Sequence, residues 1–281
     1  MATSKPRPQL RRAFIALAAG ACGLVFAASA QAATLPTLTV AVTPTSASVG
    51  GALESGGVNV KTTDTGLKEG IVIVIALRPG VTLAEAEGFA KSKKVQDPNN
   101  INELGSIVFD AEVNPGAPNE VQTELKPGTY LLLSGTGEAE PTVKTHFTVA
   151  ASKAPAALPA PGATVRAIDF NFRGPSVLHV GELVRFENEG FLVHMQIAFP
   201  VRNVKSARKA VKFLREGKER QIRKLVVGPP VSFQGPVSHG AFQQETITAR
   251  PGVYVLVCFM ETQDKRDHTR LGMERIIRIA K

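Results

Sequence analysis

Four residues in the chain carry, in a telling order, side chains suited to hold a soft or borderline metal ion: His194, Cys258, His268 and Met273. The last three follow one another on a single segment, PGVYVLVCFMETQDKRDHTRLGM, from Pro251 to Met273. His194 lies upstream in FENEGFLVHMQIAF, at the start of a strand-like run. Thiolate, imidazole and thioether donors select copper over magnesium or calcium, which prefer oxygen. Each residue also has an ordinary reading. Cys258 on a strand could be a core cysteine, His194 a satisfied core histidine, Met273 a core methionine and His268 a surface histidine among charges. Their joint occurrence is what points to a metal. His146, His179 and His239 fit no ligand pattern and read as surface residues, and Met195 points away from His194 along its strand and reads as core.

The elements that must position these residues are short strands. Val253 to Met260 delivers Cys258, and Gln196 to Phe199 follows His194. Val165 to Phe172, Gly181 to Glu187, Phe242 to Ala249 and Arg275 to Ala280 complete the neighbourhood. One helix is expected, capped by Ser206 and running to about Glu216. Its apolar stripe is Ala207, Ala210, Val211 and Leu214, and its outer face carries Arg208, Lys209, Lys212 and Arg215. Upstream, strands are expected over Leu38–Val42, Ile71–Leu77, Ser106–Val113, Glu120–Leu125, Tyr130–Leu133 and Lys144–Ala150. Thr82 and Glu85 form a capping box opening a helix over Leu83–Ser92. The continuous run IVIVIAL suits a strand buried on both faces. Short strands between turn signals suggest antiparallel sandwiches.

The organisation follows from composition. Residues 1–32 read as an export signal: basic Lys5, Arg7, Arg11 and Arg12, an apolar run Ala13–Ala28, then Ala30-Gln31-Ala32 as cleavage site. RRAFIAL resembles a twin-arginine signal, with plain Sec export as the other route. The expected location is therefore periplasmic or secreted, with no stable membrane insertion once the signal is removed. Removal lowers the net charge from +9 to about +5 and leaves Cys258 as the single cysteine. An unpaired thiol in an exported protein invites oxidation unless it is buried or metal-bound. ASKAPAALPAPGA, residues 151–163, reads as an extended Pro/Ala linker, giving a first domain over 34–150 and a second over 164–281. The two look like copies. KPGTYLLLS (Lys126–Ser134) aligns with RPGVYVLVC (Arg250–Cys258), and Gly66 with its following apolar run aligns with Gly190 and Met195–Phe199. Ser134 then stands where Cys258 stands, and Gly70 near the place of His194.

On the Asn188–His194 turn, the Pro-Gly-x-Tyr approach to the last strand and the closing His-x-x-x-Gly-Met, the chain from Thr164 onward resembles the cupredoxin family. The resemblance implies an all-β fold of two Greek-key β-sandwich domains in tandem, each with a short helical insertion, the first a degenerate copy. It implies a blue-copper site with His194, Cys258 and His268 in a trigonal plane and Met273 as a long axial ligand. One departure is plain. Nine residues, Phe259–Asp267, separate Cys258 from His268, against roughly two to four in small blue-copper proteins and about eight in copper nitrite reductases, which it resembles better there.

The function this implies is copper binding with single-electron transfer and no enzymatic activity. The alternatives are a metal-free exported interaction module, or copper storage and delivery. No His-x-His pair suggests the coupled copper centres of an oxidase, no Ser/His/Asp set is recognisable, and no Gly-rich loop opens a helix for phosphate. With no Trp and two Tyr, the basic helix offers no stacking platform for nucleic acid. Its charges suit steering of an acidic redox partner. The sequence does not give an oligomeric state.

Overall fold

Leu38, Val40 and Val42 turn one face of the first strand inward while Thr39 and Ala41 face solvent, and this period of two recurs along the chain. The computed structural model describes residues 34–67, 70–113, 119–136 and 142–281; the export signal read over residues 1–32 lies outside the described residues. The first set of strands is β1 (Thr37–Val42), β2 (Ala47–Gly51), β3 (Gly56–Asp64), β4 (Gly70–Leu77), β5 (Gly105–Val113), β6 (Asn119–Leu125), β7 (Gly128–Thr136) and β8 (Thr142–Val149), with helix α1 (Leu83–Ala90) between β4 and β5. The second set is β9 (Ala163–Ile168), β10 (Asn171–Arg173), β11 (Val177–His179), β12 (Leu183–Asn188), β13 (His194–Val201), β14 (Val231–Val237), β15 (Phe242–Thr246), β16 (Gly252–Val257) and β17 (Glu274–Ala280). Helices α2 (Val204–Arg215) and α3 (Glu219–Arg223) lie between β13 and β14.

The strands form two layers that each cross both sets. One layer is a single sheet in the order β10-β9-β12-β15-β6-β3-β1-β2. The other consists of β11-β17-β16-β13-β14 and β5-β4-β7-β8, whose edge strands β14 and β5 meet where Ile107 and Ser238 exchange hydrogen bonds of 2.9 Å. The duplication read from the sequence is a duplication of register. Ile73 opposite Leu133 recurs as Ile197 opposite Val257, and Gly70 opposite Val113 recurs as His194 opposite Val237. Tyr130 and Tyr254 each donate their hydroxyl to a carbonyl four residues upstream, on Lys126 and Arg250, at 2.7 and 2.8 Å. The fold is thus a tandem of sandwiches, with equivalent strands of the two copies side by side at the seam.

Several elements differ from their sequence reading. Val165–Phe172 is not one strand: the chain turns at Asp169 and Phe170, where Phe170 adopts φ 62°, and returns as β10. Helix α2 begins at Val204, capped by the Asn203 side chain, which accepts from the Ser206 N–H. Its stripe Ala207, Ala210 and Leu214 packs on Phe199, Val255 and Val257. The capping box of α1 forms as expected. Strand β4 is buried more deeply on one face: Val72 and Val74 face the sandwich interior, while Ile75 and Leu77 belong to a second apolar cluster that also includes Ala86 and Phe89 of α1. The Pro/Ala segment carries no regular structure but is fastened down. Ala156 O accepts from the Gly57 N–H at 2.7 Å and Pro159 O from Gln244 at 3.1 Å. Gly56, at φ 128°, has no room for a Cβ against this segment.

Candidate metal centre

Cys258 follows β16 directly, and its N–H donates to Met273 O at 3.3 Å. Met273 N–H donates to His268 O at 3.0 Å, and His268 N–H to Met260 O at 2.8 Å. These bonds close the base of the long connection, so the polar excursion leaves the ligand segment undisturbed. The excursion is itself a small hairpin, bridged at Glu261 and Asp267 and tightened by Thr262 and Arg266. A 3-10 turn, His268–Leu271, then presents His268, and Gly272 at φ 102° turns the chain back into β17. His194 opens β13, where the pairing with β14 shifts register between His194 and Ile197. Such an irregularity lets a strand re-aim a side chain.

The three segments bring His194, Cys258 and His268 together, each fully buried. The two Nδ1 atoms are 3.2 Å apart, and Cys258 Sγ lies 3.6 Å from His194 Nδ1 and 3.4 Å from His268 Nδ1. A point equidistant from these atoms sits about 2 Å from each, which is the length of a metal–imidazole bond and slightly short for a metal–thiolate bond. Met273, equally buried, is tied by backbone to the residues bearing the other donors. The donors therefore fit a borderline or soft transition metal.

The surroundings fix the donor atoms. His194 Nε2 lies 2.9 Å from Asp169 Oδ1. Asp169 also accepts from the N–H groups of Phe191 and Leu192 at 3.0 and 3.1 Å. Burial opposes its ionisation, but these backbone donors and His194 outweigh it, so its pKa is lowered. An ionised carboxylate there requires a proton on His194 Nε2, which leaves Nδ1 as a lone pair facing the cluster. Burial lowers the pKa of His194 and pushes that of His268 down to about 4, with the nearby His194 adding to the second effect. Both imidazoles are neutral at pH 7. Burial pushes the Cys258 thiol up to about 12, against the N–H groups of Met195 and Met260; the Met195 N–H reaches Sγ at 3.4 Å.

Three contributors escape a sequence reading. Asp169 sits on a turn read as strand. Gly190 has no room for a side chain, since a Cβ would lie 2.5 Å from His194 Nε2 and 2.7 Å from Asp169 Oδ1; its place in the Asn188–His194 turn and its match to Gly66 were the available signals. Asn99, from the first copy, accepts from the Val193 N–H at 2.8 Å and donates to Glu261 O at 3.4 Å. It thereby clasps the two loops carrying His194 and Cys258. At the equivalent positions of the first copy stand Gly70 and Ser134. His146, His179 and His239 are exposed, as expected, although His239 Nδ1 approaches Gly190 O at 3.0 Å.

No protein-family model matches the chain, and no curated protein matches it. Similar solved structures include a dithionite-reduced auracyanin from Roseiflexus castenholzii, at 16% identity over 42% of this chain and 95% of that one, TM-score 0.26. A copper-containing nitrite reductase from Thermus scotoductus SA-01 is similar at 14% identity over 87% and 68%, TM-score 0.25. A multi-copper oxidase from Pediococcus acidilactici is similar at 10% identity over 87% and 59%, TM-score 0.23. The likeness is one of fold alone. The similar structures include a nitrite reductase and multicopper oxidases, and the expectation of no enzymatic activity is withdrawn. Among the described residues no helix is long and apolar enough to cross a membrane.

Proposed function

We propose that the chain binds one copper ion through His194, Cys258 and His268, with the Met273 thioether as fourth ligand, and exchanges single electrons with a partner protein outside the cytoplasm. The observation that carries this reading is the buried triangle of two Nδ1 atoms and one Sγ, with sides of 3.2, 3.4 and 3.6 Å. When bound, copper supplies a one-electron couple. The chain's own groups prepare for it. Asp169 holds His194 in the required tautomer, the Met195 N–H lies against the sulfur, and full burial excludes water. Cys258, protonated when the metal is absent, gives up its proton on binding. Export is inferred from residues 1–32, by a twin-arginine or Sec route. Arg208 and Lys209 on the outer face of α2 have no ion pair among the described residues and suit an acidic redox partner. Arg215 is engaged instead, its Nε reaching Glu274 Oε1 at 2.7 Å.

The test is copper titration of the mature chain followed by its visible spectrum and voltammetry. One copper per chain, an intense thiolate-to-copper band and a reversible couple are expected. Cys258→Ser should abolish the band, and Met273→Leu should keep it and raise the potential. Absence of uptake would sink the reading, and tight Cu(I) binding without a reversible couple would replace it with storage or delivery.

A further inference from the structure

At the seam of the two copies, β5 and β6 of the first face β14 and β15 of the second around a polar cavity of about 240 Å³. Asp110 on β5 is only 6% exposed, yet its carboxylate has no hydrogen bond or ion pair among the described residues. Glu245 on β15 is half-buried and has no partner among the described residues either. Gln243, one side-chain repeat before it, is 1% exposed and donates Nε2 to Asp110 O at 3.2 Å. Its Oε1 accepts nothing. Gly235 on β14 makes the room, because a Cβ there would collide with the Asp110 carboxylate. Among the described residues no lysine or arginine lines the space.

Buried polar groups are almost always paired, and each exception asks for a reason. Here the carboxyls of Asp110, Glu112 and Glu245 and the Gln243 Oε1 line one cavity shared by both copies, with no cation supplied among the described residues. We propose that this cavity binds a hard divalent cation of the calcium class, held by Asp110 from one copy and by Glu245 and Gln243 Oε1 from the other. Oxygen donors of this kind select calcium and magnesium, whereas the nitrogen and sulfur cluster around Cys258 selects the opposite class. Two carboxylates balance a dication, and the volume leaves space for the waters such an ion retains. Without it, burial, helped by the nearby Glu112, raises Asp110 well above its ordinary range, and burial raises Glu245 to about 8, so both carboxyls are pushed toward the neutral form. A cation between them favours the ionised forms, so binding expels protons and fastens β5 to β15 across the seam.

The experiment is calorimetric titration of the chelator-treated full chain with calcium chloride at pH 7.5, in two buffers of different ionisation heat. Saturable uptake of one ion is expected, with proton release and a melting temperature that rises with calcium as mass action requires. In the Asp110→Asn, Glu245→Gln double variant the amides imitate the protonated acids, so the chain should fold and keep its copper-dependent spectrum, or its metal-free melting profile if copper does not bind. Its calcium affinity should fall at least 100-fold. No calcium uptake by the wild type, uptake without proton release, or equal uptake by the double variant would each overturn the proposal. The readout does not involve Cys258, so failure here and failure of the copper reading are separate results.

Discussion

Asp169 decides which nitrogen of His194 faces the cluster. Removing it as Asp169→Ala should weaken copper binding roughly 10- to 100-fold, the usual range for an outer-shell partner, and competition titration against a chelator measures it. Gly190→Ala should damage the same pair, because its Cβ would lie 2.5 Å from His194 Nε2. A second residue-scale expectation concerns Glu245. Burial raises its pKa to about 8 in the folded chain against 4.5 ordinarily. Between those values the folded state holds a proton that the unfolded chain has released, so stability is highest below about pH 4.5 on this group's account and falls as pH rises toward 8. The slope is at most about 1.4 kcal/mol per pH unit, and Glu245→Gln should flatten it in denaturant melts run with chelator present. The meeting of His194, Cys258 and His268 was legible because their side-chain chemistry is rare and ordered. Asp169 was not, because its role arises from a turn at Phe170 that alternating Val, Ala, Ile and Phe conceals.

At the scale of elements, the clasp made by Asn99 joins a 3-10 turn of the first copy to both ligand loops of the second. Asn99→Ala leaves the buried Val193 N–H without a partner, which costs about 1–3 kcal/mol, and should broaden the copper spectrum; thermal melts and electron paramagnetic resonance test the two parts. If Arg208 and Lys209 guide an acidic partner, its association rate should fall steeply with ionic strength, and a rate indifferent to salt would reduce them to a solvated face. The sequence exposed α1 through its capping box and β16 through its apolar run. It concealed β3 and β14, where GGVNV and FQGPV put glycine and proline among strand residues and the pattern reads as loop.

For the molecule as a whole, the register that repeats from β4 and β7 to β13 and β16 shows two copies of one sandwich joined through equivalent strands, as the halves of an isologous dimer would be. The duplication could be read from matching segments, but the seam could not, since no local pattern says that Gln122 will face Gln244. Residues 164–281 made alone would leave β14 and β15 as bare edges. Such edges template pairing, so the fragment should dimerise or aggregate more readily than the full chain, as light scattering would reveal. Residues 34–150 made alone, with Gly70 and Ser134 at the ligand positions, should take up no copper tightly.

The complete burial of His194, Cys258 and His268 also has a kinetic side. A donor set with no face to solvent cannot meet an arriving ion until some part of its cover swings away, and the Asn99 clasp is the part that bridges both loops. Loading should then proceed through a sparsely populated open form. In stopped-flow mixing, the observed rate should climb with copper at low concentration and level off at the opening rate. Asn99→Ala should lift that plateau, and the same slow gate should keep the loaded ion from exchanging with its surroundings.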